Sequence, residues 1–389
     1  MSGERLQVPD AKKLAAVQAV ADLADPYSFP TAYDELFARA MRECIAWHAG
    51  HCDFYRRMLA LRAFKPDSVK NLKDCARIPF VPANFFKMHE IISIPKSAVF
   101  AHFTSSGTTG QKSQIFFDRW SFSAGQRMVD AVFKHFGFVT PKTKTNYLLY
   151  SYETEADSTL GTAYTDNYLC KYAPAKNVFH ALRRTGTGAH EFDAFGCIQS
   201  LRDYEAHGLP VRIFGFPAFL YFTLKRMRDL KMKNLRLPPG SLIFLGGGWK
   251  GHAGEAVSKE ELYALAQERL GIPQARIRDS FGAVEHPIPY CECANHRFHV
   301  PVWSRVVIRD VRTLEPLGFG KPGFLQFLTP FLTSIPAHSV LMGDLASLHP
   351  ASECGCGIES PFFTVLGRAG TSKNKSCALA AAELLGASR

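Results

Sequence analysis

The sequence predicts an α/β fold in which helices pack against layered sheets. Short apolar runs, typical of buried strands, alternate with longer segments whose apolar residues recur every three or four positions, as on one face of a helix. The runs fall at residues 147–150, 211–214, 241–245 and 324–328, and the periodic segments include 218–230 and 259–270. This alternation favours helices and sheets in separate layers.

The length and composition are those of a folded globular protein. The chain has 389 residues, of which 47% are hydrophobic, so we expect one large domain or two closely joined ones with a substantial core. It has no run of about eighteen uncharged apolar residues, and its start, residues 1–5, lacks the apolar core of a secretory signal. We therefore expect a cytoplasmic protein with no membrane span.

Three regions differ in their patterning. Residues 1–77 form a predicted helical preface, because apolar residues within 11–63 recur at helical spacing. Residues 78–368 begin with a looped approach, broken by Pro79, Pro82 and Pro95, and continue as the α/β domain. Residues 369–389 are rich in Gly, Ser and Lys and then in Ala, which predicts a short flexible arm.

The formal net charge of +11 can attract nucleic acid, an anionic membrane surface or a polyanionic cosubstrate. The 46 Lys and Arg residues are scattered among 35 Asp and Glu residues, without a basic block or a nucleic-acid-binding motif. We expect no nucleic-acid partner, and ATP or an acidic protein accounts for the charge. The ten cysteines of a chain expected in the cytoplasm favour thiol or metal chemistry over disulfides.

Residues 104–112 combine hydroxyls, glycines and a lysine as a phosphate-binding loop does. Glycines let backbone N–H groups turn toward an anion, hydroxyls donate to its oxygens, and a lysine adds positive charge. A P-loop is disfavoured, because Gly107 and Gly110 are three residues apart and Lys112 does not follow a glycine. The apolar run 115–117 predicts a strand, so the loop should turn between two strands. The expected phosphate ligands are Thr104, Ser105, Ser106, Gly107, Thr108, Thr109, Gly110 and Lys112.

Two later segments carry the other groups that a nucleotide needs. Phe281 can stack on a purine, and Glu285, four residues on, can hold a Mg²⁺ ion that bridges phosphates. Gly343 lets the backbone approach a ligand, and Asp344 can accept hydrogen bonds from ribose hydroxyls. Each segment alone is a weak signal, and their order along the chain makes the combination specific.

In this order the three motifs resemble those of the adenylate-forming superfamily of acyl and aryl ligases, over about residues 78–368. The resemblance implies the large N-terminal-type domain of these ligases, with ATP and Mg²⁺ as cofactors and a carboxylic acid as substrate. Residues 215–217 and 245–248 sit where related ligases carry acyl-pocket and adenine-side segments. Beyond the phosphate loop, the implied nucleotide-binding residues are Gly246, Phe281, Gly282, Asp344 and Arg368, with Glu285 as the Mg²⁺ ligand.

The end of the chain indicates one branch of this superfamily. Only 21 residues follow Arg368, which looks like the hinge of these ligases, so we expect the usual C-terminal lid domain to be missing. Residues 372–378 are similar to the C-terminus of the LuxE-type acyl-protein synthetases. In that family a cysteine takes a fatty acyl group from acyl-AMP and passes it to a reductase subunit, and Cys377 matches its position. The resemblance therefore implies a fatty acid substrate and a partner reductase.

Elementary chemistry agrees with these steps. A carboxylate is a poor electrophile, so ATP converts it to a mixed anhydride, and a thiolate then attacks to give a thioester. Lys373 and Lys375 favour the thiolate form of Cys377. In lid-bearing ligases a lid lysine assists adenylation, and here that role is left open among Lys112, Lys373 and Lys375.

A second set of candidates consists of six Cys and His residues: Cys291, Cys293, His296, His299, Cys354 and Cys356. Thiolates and imidazoles suit tetrahedral zinc, which needs only four ligands. A resemblance to phenylacetate-CoA-ligase-like relatives implies a structural Zn²⁺ held by Cys293, His299, Cys354 and Cys356. Glu292, between Cys291 and Cys293, is most simply a solvated loop carboxylate.

The sequence leaves two other functions open. The chain could be an acid–CoA or acid–carrier-protein ligase that delivers acyl-AMP to an external thiol, and turnover on addition of CoA would identify it. It could also be a non-catalytic nucleotide-binding subunit, which would exchange no pyrophosphate with any acid. The identity of the acid and its chain length depend on pocket shape, which the sequence does not supply.

Overall fold

The computed structural model of the protein describes residues 6–104, 114–153, 168–186 and 189–369. The helices of these ranges are α1 (Ala15–Ala21), α2 (Ala32–His51), α3 (Asp53–Leu61), α4 (Leu72–Cys75), α5 (Phe85–Met88), α6 (Arg119–His135), α7 (Ala194–His207), α8 (Pro217–Asp229) and α9 (Lys259–Leu270). The strands are β1 (Val81–Pro82), β2 (Ala101–Thr104), β3 (Gln114–Phe117), β4 (Thr145–Tyr152), β5 (Ala175–Arg184), β6 (His190–Phe192), β7 (Val211–Gly215), β8 (Leu242–Leu245), β9 (Ile277–Ala283), β10 (His286–Cys291), β11 (Phe298–His299), β12 (Arg305–Arg309), β13 (Pro316–Leu317), β14 (Gly323–Leu328), β15 (Ser339–His349) and β16 (Phe362–Arg368).

A first sheet has the strand order β10-β9-β8-β7-β4-β5-β6. Strands β9, β8, β7, β4 and β5 run parallel, and β10 and β6 pair antiparallel at the two edges. The carboxyl ends of the parallel strands therefore meet along one edge, which is where open α/β sheets bind ligands. The apolar runs predicted as strands at 147–150, 211–214 and 241–245 lie in β4, β7 and β8 at the centre of this sheet.

A second sheet has the order β11-β16-β15-β14-β12-β13, with neighbouring strands antiparallel. The short strand β1 pairs parallel with β15, with Val81 opposite Val340. Strand β15 carries the predicted Gly343–Asp344 motif, and β16 ends at the predicted hinge residue Arg368. The second sheet therefore supplies the ribose-binding and hinge motifs, whereas the first supplies the aromatic and glycine-rich ones.

The central strands of the first sheet are buried on both faces. Leu148 and Tyr150 pack with α7, α8 and α9 on one side, whereas Tyr147 and Leu149 join a core shared with α6 and the second sheet. Successive side chains of a strand point to opposite faces, so a strand covered on both faces is apolar at every position. This is why the central strands are continuous apolar runs in the sequence.

The N-terminal helices pack into the core that both sheets share. Helix α2 buries eight residues, among them Trp47, whose indole Nε1 donates a hydrogen bond to the Thr333 carbonyl at 2.9 Å. Helices α1, α2 and α3 lie within residues 11–63, where the apolar spacing predicts helices. Throughout the described ranges, no helix has the length and apolar character that crossing a bilayer requires.

Candidate active site

Glycines at the carboxyl ends of β7 and β8 allow close contacts among the four parallel strands β4, β7, β8 and β9. Gly215 has a φ of +116°, and the Tyr150 carbonyl occupies the space that a side chain would need. A Cβ on Gly246 would lie 2.5 Å from Ser280 Oγ of β9. The Gly246 N–H donates to the Gly215 carbonyl at 3.0 Å. The structure thus places the segments predicted to form the acyl pocket and the adenine side next to each other.

Glu285 lies in the turn from β9 to β10 and is 7% exposed. Among the described residues, its carboxylate has no hydrogen-bond or ion-pair partner. Carboxylate oxygens are preferred ligands of Mg²⁺. The position and chemistry of Glu285 therefore fit the metal-binding role predicted from the sequence.

Phe281, predicted to stack on adenine, belongs to an aromatic cluster of the core. Its ring centroid lies 5.7 to 6.5 Å from those of Tyr290, Phe298, Phe327 and Phe363. The side chain is nevertheless half-buried, and the adjacent Gly282 is exposed. A purine can meet only the part of the ring that the four neighbours leave uncovered, and stacking on adenine stays a prediction.

Asp344 and Arg368 face each other on neighbouring strands. They are paired in register between β15 and β16, and Arg368 Nε lies 3.7 Å from Asp344 Oδ1. Burial raises the pKa of Asp344, the Arg368 charge opposes that shift, and the negative charge of Glu285 adds to it. The charge of Glu285 acts on Asp344, so the two carboxylates lie near each other. The Arg368 side chain is 72% exposed, so its guanidinium is accessible to an anion.

The predicted phosphate loop and acyl acceptor lie mostly outside the described residues. Thr104 is the last residue of β2 and pairs with Gln114, the first residue of β3. The interval between these antiparallel strands, residues 105–113, contains the remaining loop residues and Lys112, which agrees with a loop between two strands. The predicted acceptor Cys377, with Lys373 and Lys375, also lies outside the described residues.

Four of the six candidate zinc ligands lie together. The ligating atoms of Cys293, His299, Cys354 and Cys356, which we call the Cys3His cluster, all lie within 4.8 Å of one another. The Cys293 and Cys354 Sγ atoms are 3.5 Å apart, and Cys356 Sγ is 3.2 Å from His299 Nε2. Tetrahedral zinc holds such atoms about 3.4 to 3.8 Å apart. The donor set and its spacing fit Zn²⁺.

The His299 ring is oriented for metal binding by its other nitrogen. Nδ1 lies 2.7 Å from the Ser360 carbonyl, which can only accept a hydrogen bond. Nδ1 therefore carries the proton, and Nε2 presents its lone pair to Cys356. A backbone acceptor behind a histidine ligand is the usual arrangement in metal sites. The cluster joins the segment after β10 to the segment after β15. Glu285 directly precedes β10, and Asp344 lies on β15.

Glu292 is not the solvated loop carboxylate that the sequence predicts. Its side chain is fully buried and accepts hydrogen bonds from Lys259 Nζ at 2.6 Å, Tyr263 OH at 2.9 Å and the Asp279 N–H at 2.8 Å. Lys259 Nζ also lies 3.1 Å from Asp279 Oδ2. We call these four residues the Lys259 network. The prediction is wrong because the first turns of α9 cover this end of β10 and supply both the cation and the phenol.

The Lys259 network connects the strand of the nucleotide motif with the Cys3His cluster. Asp279 is two residues before Phe281 on β9, and Glu292 directly precedes Cys293. His296, one of the six candidate ligands, turns to this network, with its Nδ1 3.4 Å from Glu292 Oε2. No sequence signal pairs Lys259 with Glu292, because 33 residues separate them along the chain.

The fold defines the class of protein. A crystal structure of an open conformation of 2-hydroxyisobutyryl-CoA ligase, in complex with 2-HIB-AMP and CoA, has a TM-score of 0.66 to this chain at 16% identity, covering 95% of this chain and 82% of that one. The same enzyme in its postadenylation state gives a TM-score of 0.67, covering 95% and 73%. The chain has the fold of an adenylate-forming ligase, as the sequence motifs predict.

A more specific assignment comes from the sequence as a whole. The family model described as "Acyl-protein synthetase, LuxE" matches residues 9–386, and the chain belongs to this family. The "Long-chain-fatty-acid--luciferin-component ligase" of Vibrio harveyi is 25% identical over 311 residues, which cover 79% of this chain and 78% of the relative. The protein of the same name from Aliivibrio fischeri is 24% identical over 370 residues, covering 90% and 89%. These matches confirm the resemblance noted in the C-terminal residues.

Proposed function

We propose that the protein uses ATP to activate a long-chain fatty acid as acyl-AMP and then transfers the acyl group to its own Cys377. The observation that carries the proposal is the proximity of Asp344 to Arg368 and to Glu285, which lies in the turn after β9, in a chain of the acyl-protein synthetase family. The names of the relatives from Vibrio harveyi and Aliivibrio fischeri support a long-chain fatty acid as the substrate.

The described residues suit separate tasks in nucleotide binding. Asp344 would accept hydrogen bonds from the ribose hydroxyls, and Arg368 would lie at the hinge beside it. Glu285 would hold a Mg²⁺ ion, which supplies charge neutralisation of the phosphates when bound. A side chain at Gly246 would collide with Ser280, and the family resemblance places the backbone of this segment on the adenine side. Phe281 would offer its uncovered ring surface to the base.

The two chemical steps balance without a further reactant. In the first step an oxygen of the fatty acid carboxylate attacks the α-phosphorus of ATP, and pyrophosphate leaves. In the second step the Cys377 thiolate attacks the acyl carbon, and AMP leaves with the electron pair of the broken C–O bond. The product is a thioester, which a reductase partner could take up. Lys112, Lys373 or Lys375 would offset the charge that develops on the phosphates.

Intact-protein mass is the direct test of this function. The purified protein is incubated with ATP, Mg²⁺ and a panel of fatty and aromatic acids, without CoA, and is then treated with hydroxylamine. We expect an ATP-dependent mass gain with fatty acids that hydroxylamine removes. Pyrophosphate release without an adduct would indicate delivery to an external thiol, and the absence of both would indicate a non-catalytic nucleotide-binding subunit.

Asp344→Ala is expected to raise the KM for ATP by about 10- to 100-fold, because hydrogen bonds to a charged group contribute roughly 1.5 to 3 kcal/mol. Pyrophosphate exchange at varied ATP concentrations measures this effect. Asp67→Asn, at an exposed position outside the site, is the control and should leave the KM unchanged. An unchanged KM in Asp344→Ala would remove the residue from the nucleotide site.

The Cys3His cluster is expected to hold one zinc ion per chain, and Cys356→Ser is expected to lose it. With free zinc at 100 times its Kd, loss of the ion removes about 2.7 kcal/mol from the free energy of unfolding. Metal analysis and urea unfolding with and without a chelator measure both quantities. Cys291→Ala is the matched control, because its thiol lies two residues from Cys293 but outside the cluster. Equal zinc content in the parent protein and Cys356→Ser would contradict the assignment.

A further inference from the structure

A buried thiol and two buried imidazoles lie together where α2 meets the loop before β15. Cys44 and His48 are one helical turn apart on α2, and His338 directly precedes β15. All three side chains are fully buried. One ligating atom from each lies within 4.8 Å of the other two. We call this set the α2 cluster, and it shares no residue with the Cys3His cluster.

The hydrogen bonds of His48 fix its tautomer. Its Nε2 lies 2.9 Å from the Leu332 carbonyl, which can only accept, so Nε2 carries the proton. The lone pair is therefore on Nδ1, 2.7 Å from Ser93 Oγ, and the serine hydroxyl donates to it. A hydroxyl hydrogen rotates freely, so Ser93 can release this nitrogen when another partner binds it.

His338 has a nitrogen with no partner. Its Nε2 lies 2.6 Å from Tyr55 OH, whereas its Nδ1 is buried and makes no hydrogen bond within the described residues. A buried polar atom left unsatisfied costs about 1 to 3 kcal/mol, so such an atom in a native core calls for a ligand or another explanation. The ring is parallel to that of His48, with centroids 5.1 Å apart.

The protonation states are those of metal ligands. Burial lowers the pKa of His48 to about 3 and that of His338 well below its usual value, so both rings are neutral. Burial also raises the pKa of the Cys44 thiol, which would lose its proton only to a bound cation. Neutral imidazoles with a thiolate suit zinc, and the acceptors behind both Nε2 atoms, Leu332 O and Tyr55 OH, match the usual second layer of such sites.

We propose that the α2 cluster is a second zinc site, formed by Cys44 Sγ and one ring nitrogen each of His48 and His338. On binding, the Cys44 proton is released to solvent, the Ser93 hydroxyl turns away from His48, and the three side chains close by roughly 1 Å to reach tetrahedral spacing. The fourth position is left to water or to the Ser93 hydroxyl. The ion would join α2 to the strand that carries Asp344.

Metal stoichiometry tests this proposal. Chelator-treated protein is titrated with Zn²⁺ and, separately, with Co²⁺, whose thiolate charge-transfer absorption differs between a site with one thiolate and a site with three. The variants are Cys44→Ser, Cys356→Ser and the double variant, with Cys75→Ser as the control, a buried thiol outside both clusters. We expect two equivalents in the parent protein and in Cys75→Ser, one in each single cluster variant and none in the double variant.

A second measurement covers the case in which a variant fails to fold. In the parent protein, alkylation of Cys44 under mild urea is followed by peptide mass spectrometry with and without Zn²⁺. At a free Zn²⁺ concentration 100 times Kd, alkylation should slow by about 100-fold, whereas that of Cys75 should change less. Two outcomes would overturn the proposal: loss of all metal binding in Cys356→Ser, or Cys44 alkylation that is indifferent to Zn²⁺. Binding of Cu⁺ but neither Zn²⁺ nor Co²⁺ would also overturn it as a zinc site.

Discussion

Cys377→Ser is expected to form no covalent acyl-enzyme while retaining ATP–pyrophosphate exchange within about twofold of the parent protein. Adenylation joins the acid to AMP and does not use the thiol, so it should proceed. Thioester formation needs a strong nucleophile at neutral pH, and a serine hydroxyl without an activating base is a weak one. Exchange of labelled pyrophosphate measures the first step, and intact-protein mass measures the second.

Cys170→Ser is the matched control for this experiment, because Cys170 is a partly exposed cysteine in the described part of the chain. It should acylate itself like the parent protein. Loss of both exchange and acylation in Cys377→Ser would point to damage to the adenylation site. Retention of both would place the acceptor at another residue. Either result would remove Cys377 from the role that the family resemblance gives it.

Glu292→Gln is expected to lower the free energy of unfolding by about 3 kcal/mol, because it breaks the buried ion pair with Lys259 and leaves Lys259 with Asp279 as its anionic partner. The value is at the lower end of the range for buried pairs, since the Lys259 side chain is 39% exposed and partly solvated. Lys259 and Asp279 would then face a neutral amide. Urea unfolding at pH 7 measures the change, with the exposed Glu315→Gln as the control.

Glu292→Gln is also expected to change how the free energy of unfolding depends on pH below about 5. Burial alone would raise the pKa of Glu292, but the nearby His296 ring and the charge of Lys259 outweigh it and lower the pKa to about 2. A carboxyl whose pKa is lowered in the folded state stabilises the protein above its ordinary pKa of 4.5, and that stability is lost as the pH falls toward 2. Glu292→Gln should lack this loss.

Asp279 affects the pH dependence of stability in the direction opposite to that of Glu292. Burial raises its pKa to about 6, although Lys259 opposes the shift. Its contribution to stability is therefore present below its ordinary pKa of 3.8 and is lost as the pH rises through about 6. Free energies of unfolding measured at pH 2.5, 5 and 7 distinguish the contribution of Glu292, which changes between pH 5 and 2.5, from that of Asp279, which declines toward pH 7. The same decline from pH 5 to pH 2.5 in Glu292→Gln and in the parent protein would contradict the role of Glu292.

The features that sequence patterns predicted are those with local causes. Strands β4, β7 and β8 follow from apolar runs, and the close approach at Gly246 follows from a glycine at a strand end. The meeting of Glu285 with Asp344 could be predicted only through the family resemblance, because they lie on different sheets. The residues of the Cys3His cluster also come from two segments that are distant in the sequence, so only the family resemblance could predict that they lie together.

Features that depend on packing between distant elements could not be predicted. Glu292 lies among cysteines in a polar segment, and only the tertiary position of α9 makes it a buried ion-pair partner. The aromatic neighbours of Phe281 come from four other segments of the chain. Cys44 fits the apolar face of α2 by its spacing, so the sequence gives no reason to look for His338 beside it.

The position of α2 has a consequence for the synthesis of the protein. Trp47 and His48 find their backbone partners in Thr333 and Leu332, which are 286 and 284 residues further along the chain. At roughly 5 to 20 residues per second, a ribosome needs roughly 15 to 60 seconds to make that interval. During this time the part of α2 that meets residues 331–338 lacks its native contacts. The nascent chain therefore presents an apolar surface that chaperones can recognise, and slower translation lengthens that exposure.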